Sequence, residues 1–266
     1  MPNYLCATCS TQFPAGQDPP DACPICEDAR QYVPVDGQRW TTVEELRSTH
    51  RAEIREELPG LLGLGCEPEF AIGQRALLVP SDEGGILWDC QALLDDEVVA
   101  AIRERGGLAA IAISHPHYYS TMVDWAHEFE CPILIHEDDR DWVMRPDAAV
   151  EYWTGETRDL RRGLTLLRLG GHFAGGQVLH WAERRMLLSG DIVQVIPDRR
   201  YVSFMYSYPN LIPLPPDAVD EIARRLEPWE FDTIVGAWWD RVVRDGKEAV
   251  RRSARRYRDA IEGRLG

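Results

Sequence analysis

The pattern of apolar and polar residues beyond about residue 70 predicts short strands and helices that alternate along the chain. Apolar runs without polar alternation indicate buried strands, and apolar residues three and four positions apart indicate helices. The predicted strands are residues 75–80, 85–89, 108–114, 132–136, 164–169, 177–182, 185–189 and 231–236, with a turn at 81–84. The predicted helices are residues 95–105, 122–130, 138–144, 216–226 and 247–261. This order of elements indicates a layered α/β body.

The first part of the chain follows a different pattern. Residues 1–36 contain few aliphatic side chains, and a segment this small needs a metal or disulfide to hold a fold. Thr41 and Glu44 have the spacing of a helix capping box, so we expect a helix from there to about Glu57, and then a loop at residues 60–65. The sequence therefore predicts three parts, which are a small segment (1–36), a helical connector (37–66) and a larger domain (67–266).

Composition and charge exclude some classes of partner. The 266 residues carry a formal net charge of -15, which would repel nucleic acid. The apolar runs are shorter than the ~20 residues that span a bilayer. The first residues lack the basic and apolar regions of a secretory signal. We therefore expect a cytoplasmic protein that acts on a small molecule and binds neither nucleic acid nor membrane.

Two Cys-x-x-Cys pairs define a metal site in the first segment. Cys6 and Cys9 form one pair, and Cys23 and Cys26 form the other. Two such pairs complete a tetrahedral site with four sulfur ligands. The stretch resembles zinc ribbons and rubredoxins, so structural Zn²⁺ and electron-carrying iron both fit. We favour zinc because the rest of the chain has no flavin or second redox motif. Redox-active pairs fit less well, since the strand–helix context of thioredoxin-type motifs is missing here.

The larger domain has candidate ligands for a metal of its own, and they follow the ends of predicted strands. His115 and His117 come directly after one strand, His172 after another and Asp191 after a third. Residues two apart in extended backbone project to the same side, so the first two imidazoles can reach one ion. Three separate strand ends that each finish in such residues indicate a metal site in the larger domain.

From about Phe70 onward the chain resembles the metallo-β-lactamase superfamily. His115 and His117 match the first two histidines of the family's H-x-H-x-D-H motif, and residues 172–180 (HFAGGQVLH) resemble its H-T-P-G-x-x-x-L stretch. Residues 84–89 (GGILWD) look like the early hairpin that leads to an aspartate. The resemblance implies an αββα sandwich with the metal at one edge of the sheets.

The departures from the family pattern are confined to one set of ligands. Tyr119 stands where the family has aspartate, Ser120 where it has histidine, and residues 237–240 (AWWD) where it has the late histidine. Every ligand dedicated to a second metal is therefore missing. The resemblance implies one Zn²⁺ or Fe²⁺, which is held by His115, His117 and His172. Asp191 would be its fourth ligand or an orienting base.

An aromatic, proline-rich segment, residues 196–216, follows Asp191 and is called the aromatic segment below. A long loop of this kind beside a metal is suited to form a lid or a pocket wall, although a packed surface loop or a contact in a homo-oligomer fits nearly as well. The two tryptophans that replace the late histidine would narrow the same pocket. The residues that we expect to contact substrate are Arg199, Arg200, Tyr201, Tyr206, Tyr208, Trp238 and Trp239.

Three functions are consistent with this sequence. The leading one is hydrolysis of a small ester, amide, lactone or thioester by a metal-activated water, with Asp191 as proton acceptor and Tyr119 or an arginine of the aromatic segment as a second electrophile. A second is a mononuclear iron oxidoreductase, such as a dioxygenase, that uses a rubredoxin-like segment. A third is a non-catalytic scaffold in which the cysteine segment is an interaction module.

Overall fold

The structure, a computed structural model, describes residues 1–81, 83–160 and 163–265. Asp82, in the predicted turn at 81–84, therefore lies outside the described residues. The chain divides into two compact units, Met1–Trp153 and Thr154–Gly266. Within the described residues, no helix combines the length and the apolar character needed to cross a membrane.

The main sheet of the first unit has seven strands. Their order across the sheet is Val150–Trp153, Ile133–His136, Leu108–Ala112, Gly85–Trp88, Ala76–Val79, Leu61–Glu67 and Arg51–Leu58. The first four strands are parallel and the remaining pairs are antiparallel. The helices Asp96–Arg103 and Met122–Phe129 connect successive parallel strands, as such crossovers require. The two helices and the strands Ala76–Val79, Gly85–Trp88, Leu108–Ala112 and Ile133–His136 lie within the predicted ranges, whereas the strand Val150–Trp153 was not predicted.

The prediction of a connector helix that runs to about Glu57 is wrong after Thr49. The helix spans only Val43–Thr49, and its N-cap is Thr42 rather than Thr41. Thr42 Oγ1 accepts from the backbone of Glu45, whose carboxylate accepts in return from the backbone of Thr42. The capping box is therefore present, displaced by one residue from the predicted pair.

The segment after this helix forms strands instead of a helix end and a loop. Arg51–Leu58 and Leu61–Glu67 form an antiparallel hairpin, and Gly60 takes a positive φ of 77° at its turn. Leu61–Glu67 is buried almost throughout and also pairs with Ala76–Val79. Pairing with the buried strand Leu61–Glu67 outweighs the helix propensity of the glutamate-rich stretch Arg51–Leu58, which forms the edge of the sheet.

The cysteine segment forms a small knuckle inside the first unit. Its three-stranded sheet has the order Gln12–Ala15, Asn3–Cys6 and Trp40–Thr41, and the helix Pro24–Glu27 is one turn long. Leu5 packs into an apolar cluster with Leu46, Ala92 and Leu93. Two 3-10 helices, Pro116–Tyr118 and Glu137–Trp142, complete this unit. The predicted helix at 138–144 is thus a 3-10 helix that begins one residue earlier.

The second unit has a six-stranded sheet. Its order is Thr157–Asp159, Leu164–Arg168, Gln177–Trp181, Met186–Leu188, Thr233–Val235 and Val242–Val243. The helices Pro216–Leu226 and Gly246–Ile261 pack on the same apolar cluster as these strands, and a 3-10 turn lies at Ala182–Arg184. Both α-helices were predicted to within one residue.

The aromatic segment is more ordered than a loop. Gln194–Val195 pairs with Val202–Ser203, and Met205–Ser207 pairs with Ile212–Pro213. Phe204 is fully buried in the apolar cluster of the second unit. This segment is therefore anchored to the body through two short ribbons, which the prediction of a loop missed.

Candidate metal centres

The four cysteines of the knuckle lie together and are buried. Cys6 ends a strand, Cys9 follows in the next turn, and Cys23 caps the short helix on which Cys26 lies. Their Sγ atoms all lie within 4.8 Å of one another, with 3.6 Å between Cys6 and Cys26 and between Cys9 and Cys23. Tetrahedral S₄ coordination with metal–sulfur bonds of ~2.3 Å places sulfurs about 3.8 Å apart. The arrangement fits a metal ion.

The electrostatics of the knuckle point the same way. Burial raises the pKa of the Cys9 thiol, whereas hydrogen bonds from neighbouring thiols, first that of Cys23, lower the pKa of Cys6. Four thiolates at this distance repel one another strongly unless a cation lies between them. A divalent or trivalent metal ion would neutralise this repulsion and hold the four thiolates together.

The histidine pair follows the central strand Leu108–Ala112, as predicted. The backbone N–H of Ser114 donates to Asp89 Oδ1 over 2.7 Å, which fixes the end of the strand. Ser114 Oγ lies 2.9 Å from His115 Nδ1, so Nε2 is the nitrogen left to bind a metal. His115 and His117 are both buried.

His172 and Asp191 are held by the aromatic segment. His172 Nδ1 lies 3.1 Å from the carbonyl oxygen of Met205, which again selects Nε2 as the ligand atom. Gln194 Nε2 donates to Asp191 Oδ1 over 3.2 Å. The Tyr208 hydroxyl donates to the backbone oxygen of Asp191 over 3.0 Å, and its ring centroid lies 5.7 Å from that of His172. The segment therefore orients two candidate ligands.

The ligand atoms of the predicted histidine site lie together. One atom from each residue, all buried, lies within 4.8 Å of the other three, the residues being His115, His117, His172 and Asp191. Three imidazoles and one carboxylate are a common donor set for zinc and for non-haem iron. The sequence therefore identified two clusters that can each hold one metal.

The other predicted site residues have varied surroundings. The Tyr119 hydroxyl is buried and lies 3.5 Å from the carbonyl oxygen of Asp139. Arg199 donates to the Asp240 carbonyl, and Arg200 pairs with Asp198.

The aromatic residues that we expected to contact substrate lie in different surroundings. Tyr201 lies beneath the guanidinium of Arg256, and Tyr206 packs on the core of the second unit. Trp238 and Trp239 are partly buried in the turn after Thr233–Val235. Among the predicted substrate contacts, Tyr208 touches two candidate ligands, while the roles of the others stay predictions.

Sequence reasoning missed the groups that orient the ligands. Met205 acts through its backbone carbonyl, which leaves no signature in the residue type. Gln194 and Ser114 are common polar residues without a motif of their own. The proximity of Ser114 to His115 in sequence was the one available signal.

Comparisons with known proteins identify a protein of related sequence and solved structures that share the fold. No family model matches the chain. The uncharacterized protein YmaE of Bacillus subtilis (strain 168) is 49% identical over 271 residues, which covers 100% of this chain and 99% of YmaE.

Two solved structures illustrate the likeness in fold. TMB-1 has a TM-score of 0.61 at 17% identity, over 79% of this chain and 98% of its own. The metallo-β-lactamase FIM-1 from Pseudomonas aeruginosa, in a mono-zinc form, has a TM-score of 0.57 at 14% identity, over 77% of this chain and 96% of its own. The predicted fold class, the αββα fold of metallo-β-lactamases with a small four-cysteine knuckle, is confirmed.

Proposed function

Since this chain belongs to the same family as YmaE and has the metallo-β-lactamase fold, we propose that it is a single-metal hydrolase of a small ester, amide, lactone or thioester. The observation that supports this most directly is the convergence of four buried ligand atoms from the three histidines and Asp191 within 4.8 Å. A metal ion bound by such a set supplies a Lewis acid and lowers the pKa of a bound water to about 7.

The chain's own residues have three tasks in this proposal. His115, His117 and His172 provide neutral imidazoles, two of them oriented through their Nδ1 atoms by Ser114 and by the Met205 carbonyl. The carboxylate of Asp191, steadied by Gln194, accepts the proton of the attacking water. The aromatic segment is anchored in the core of the second unit and places Tyr208 against His172, where the ring would help to exclude bulk water from the metal.

The test combines metal content with turnover. We expect the full-length protein to bind two metals per chain and to hydrolyse some member of a panel of aryl esters, lactones and thioesters. His115→Ala/His172→Ala should retain one metal and lose the activity. Asp191→Asn should lower kcat by about 10²-fold or more through loss of the proton acceptor.

A matched control separates chemistry from folding. His180 is a buried histidine of the same domain, and its Nε2 lies 2.9 Å from the Glu230 carbonyl. His180→Gln should leave both metals and the activity in place. Turnover that survives in the His115→Ala/His172→Ala variant would refute the hydrolase proposal.

A second candidate function has support from the contacts of the knuckle. The Cys9 carbonyl and the His117 carbonyl both lie near the amide of Gln74, so one cysteine ligand and one histidine ligand of the first unit contact the same side chain. An iron in each would suit an oxidoreductase. Elemental analysis of protein purified without added metal decides between the two: one iron at the histidine site would overturn the hydrolase, and zinc there would overturn the oxidoreductase.

A further inference from the structure

The amide of Gln74 connects the knuckle with the histidine loop, which we define as residues 114–120. Gln74 Nε2 lies 2.5 Å from Ser10 Oγ and 3.3 Å from the Cys9 carbonyl on the knuckle side. It also lies 3.4 Å from the His117 carbonyl. The side chain is buried, so these acceptors compensate an amide nitrogen that would otherwise be costly to remove from water. One side chain therefore joins the backbone of a cysteine ligand to that of a histidine ligand.

A second connection lies at the other end of the histidine loop. The backbone N–H of Gln12 donates to the Ser120 carbonyl over 3.2 Å. Gln12 Nε2 donates to Asp124 Oδ2 over 2.7 Å, and Arg145 donates to both Gln12 and Asp124. The knuckle segment between Cys9 and Gln12 is thus bonded to the loop on both sides of its tyrosines.

We propose that the knuckle sets the geometry of the histidine site, with Gln74 as the positioning residue. A metal in the knuckle cross-links the chain at Cys6, Cys9, Cys23 and Cys26, and so fixes the Ser10 hydroxyl and the Cys9 carbonyl. Gln74 and Gln12 pass that constraint to the backbone of His117 and Ser120. The inference rests on the proposed function in one respect, namely that the histidine site binds a metal.

The physical reason is the precision that a metal site demands. A site holds its ion only when ligand atoms lie within a few tenths of an ångström of the required positions. The imidazole of His117 follows its own backbone, so a shift of the loop moves the ligand atom. Loss of contacts behind a ligand typically weakens metal binding about 10- to 100-fold.

Cobalt titration of the full-length, metal-free protein measures both sites in one sample. Co²⁺ bound by thiolates has intense charge-transfer absorption that nitrogen and oxygen ligands do not give, so the knuckle and the histidine site are followed separately. Gln74→Met keeps the length and burial of the side chain but removes its donors. We expect Co²⁺ affinity at the histidine site to fall about tenfold, with the thiolate signal unchanged.

Ser10→Gly tests the same link without threatening the fold. Ser10 has a positive φ of 66°, which glycine adopts without strain, so the knuckle keeps its backbone and loses only the hydroxyl. We expect roughly threefold weaker Co²⁺ binding at the histidine site, in keeping with the loss of one hydrogen bond.

Gln91→Met is the matched control. Gln91 is a buried glutamine of the same unit, and its side chain bonds to the backbone of Leu93. The Gln91→Met variant should leave Co²⁺ affinity at the histidine site unchanged. Equal losses in Gln91→Met and Gln74→Met would indicate general loosening and overturn the inference.

The outcomes also separate this inference from the proposed function. If wild type binds Co²⁺ at both sites and the folded Gln74→Met and Ser10→Gly variants bind it equally well, the coupling is refuted while the hydrolase proposal stands. If Gln74→Met does not fold, Ser10→Gly alone decides. If wild type binds no metal at the histidine site, both proposals fail together.

Discussion

Asp89 is a buried acid at the end of a central strand of the first unit. Its carboxylate accepts from the Ser114 backbone, one residue before His115. Burial raises the pKa of this carboxyl to about 7, against an ordinary value of 3.8. The folded protein therefore binds a proton on Asp89 more tightly than the unfolded chain does.

Asp89→Asn should change how stability depends on pH. In wild type the free energy of unfolding falls as pH rises from about 4 to about 7, because the folded state must release the proton it prefers to keep. The full effect is on the order of 4 kcal/mol. The asparagine variant lacks this titration, so relative to wild type it should gain stability as pH rises from about 4 to about 7 in urea unfolding. Parallel pH profiles would contradict this.

The candidate ligands could be predicted from sequence because each follows a strand end in a recognisable motif. The residues behind them could not. Gln74 is 65 residues from Cys9 and 43 from His117, and only the folded sheet brings them together. Met205 contributes a carbonyl that every residue type possesses.

At the scale of elements, the chain was predictable where burial and local pattern agree. The helix Pro216–Leu226 has a clear apolar face and a proline at its start, and it forms as expected. The strand Arg51–Leu58 has a helical composition, and pairing with Leu61–Glu67 decides its form. Strands as short as Val202–Ser203 contain no period to detect, so the ribbons of the aromatic segment were missed.

The turn before His172 provides a test of one such element. Gly171 has a φ of 82°, and a Cβ there would lie 2.8 Å from Ile222 Cδ1 and 3.1 Å from Leu214 Cδ1. Gly171→Ala combines backbone strain with overpacking, so it should lower the free energy of unfolding by about 2 kcal/mol. It should also weaken metal binding at the histidine site. Gly106→Ala, with a φ of 95° and open space around it, controls for strain alone and should cost less.

At the scale of the whole molecule, the knuckle ties metal content to stability. Its apolar cluster consists mainly of the four cysteines with Phe13 and Ile25, so a bound metal would contribute much of its stability. The knuckle also packs on the sheet of the first unit through Leu5. Loss of its metal should therefore lower the stability of that unit and not only of the knuckle.

Thermal unfolding with and without a strong chelator measures this dependence. We expect the chelator to lower the Tm of wild type by several degrees or more. Cys6→Ser/Cys23→Ser should already have the lower Tm and respond less to the chelator. Cys131→Ala removes a buried thiol outside the cluster and should respond as wild type does. A wild-type Tm unaffected by verified metal removal would refute the prediction.

The contacts of Gln12 and Gln74 also have a consequence for biosynthesis. The ribosome completes the knuckle, through Thr41, more than seventy residues before it reaches His115. Synthesis releases the N-terminal part of a chain first, so the cysteines can take up their ion while the histidine loop is still untranslated. The emerging loop then meets the backbone N–H of Gln12 and the side-chain amide of Gln74, which is bonded to the Ser10 hydroxyl of the knuckle. The first metal acquired would act as a template for the second.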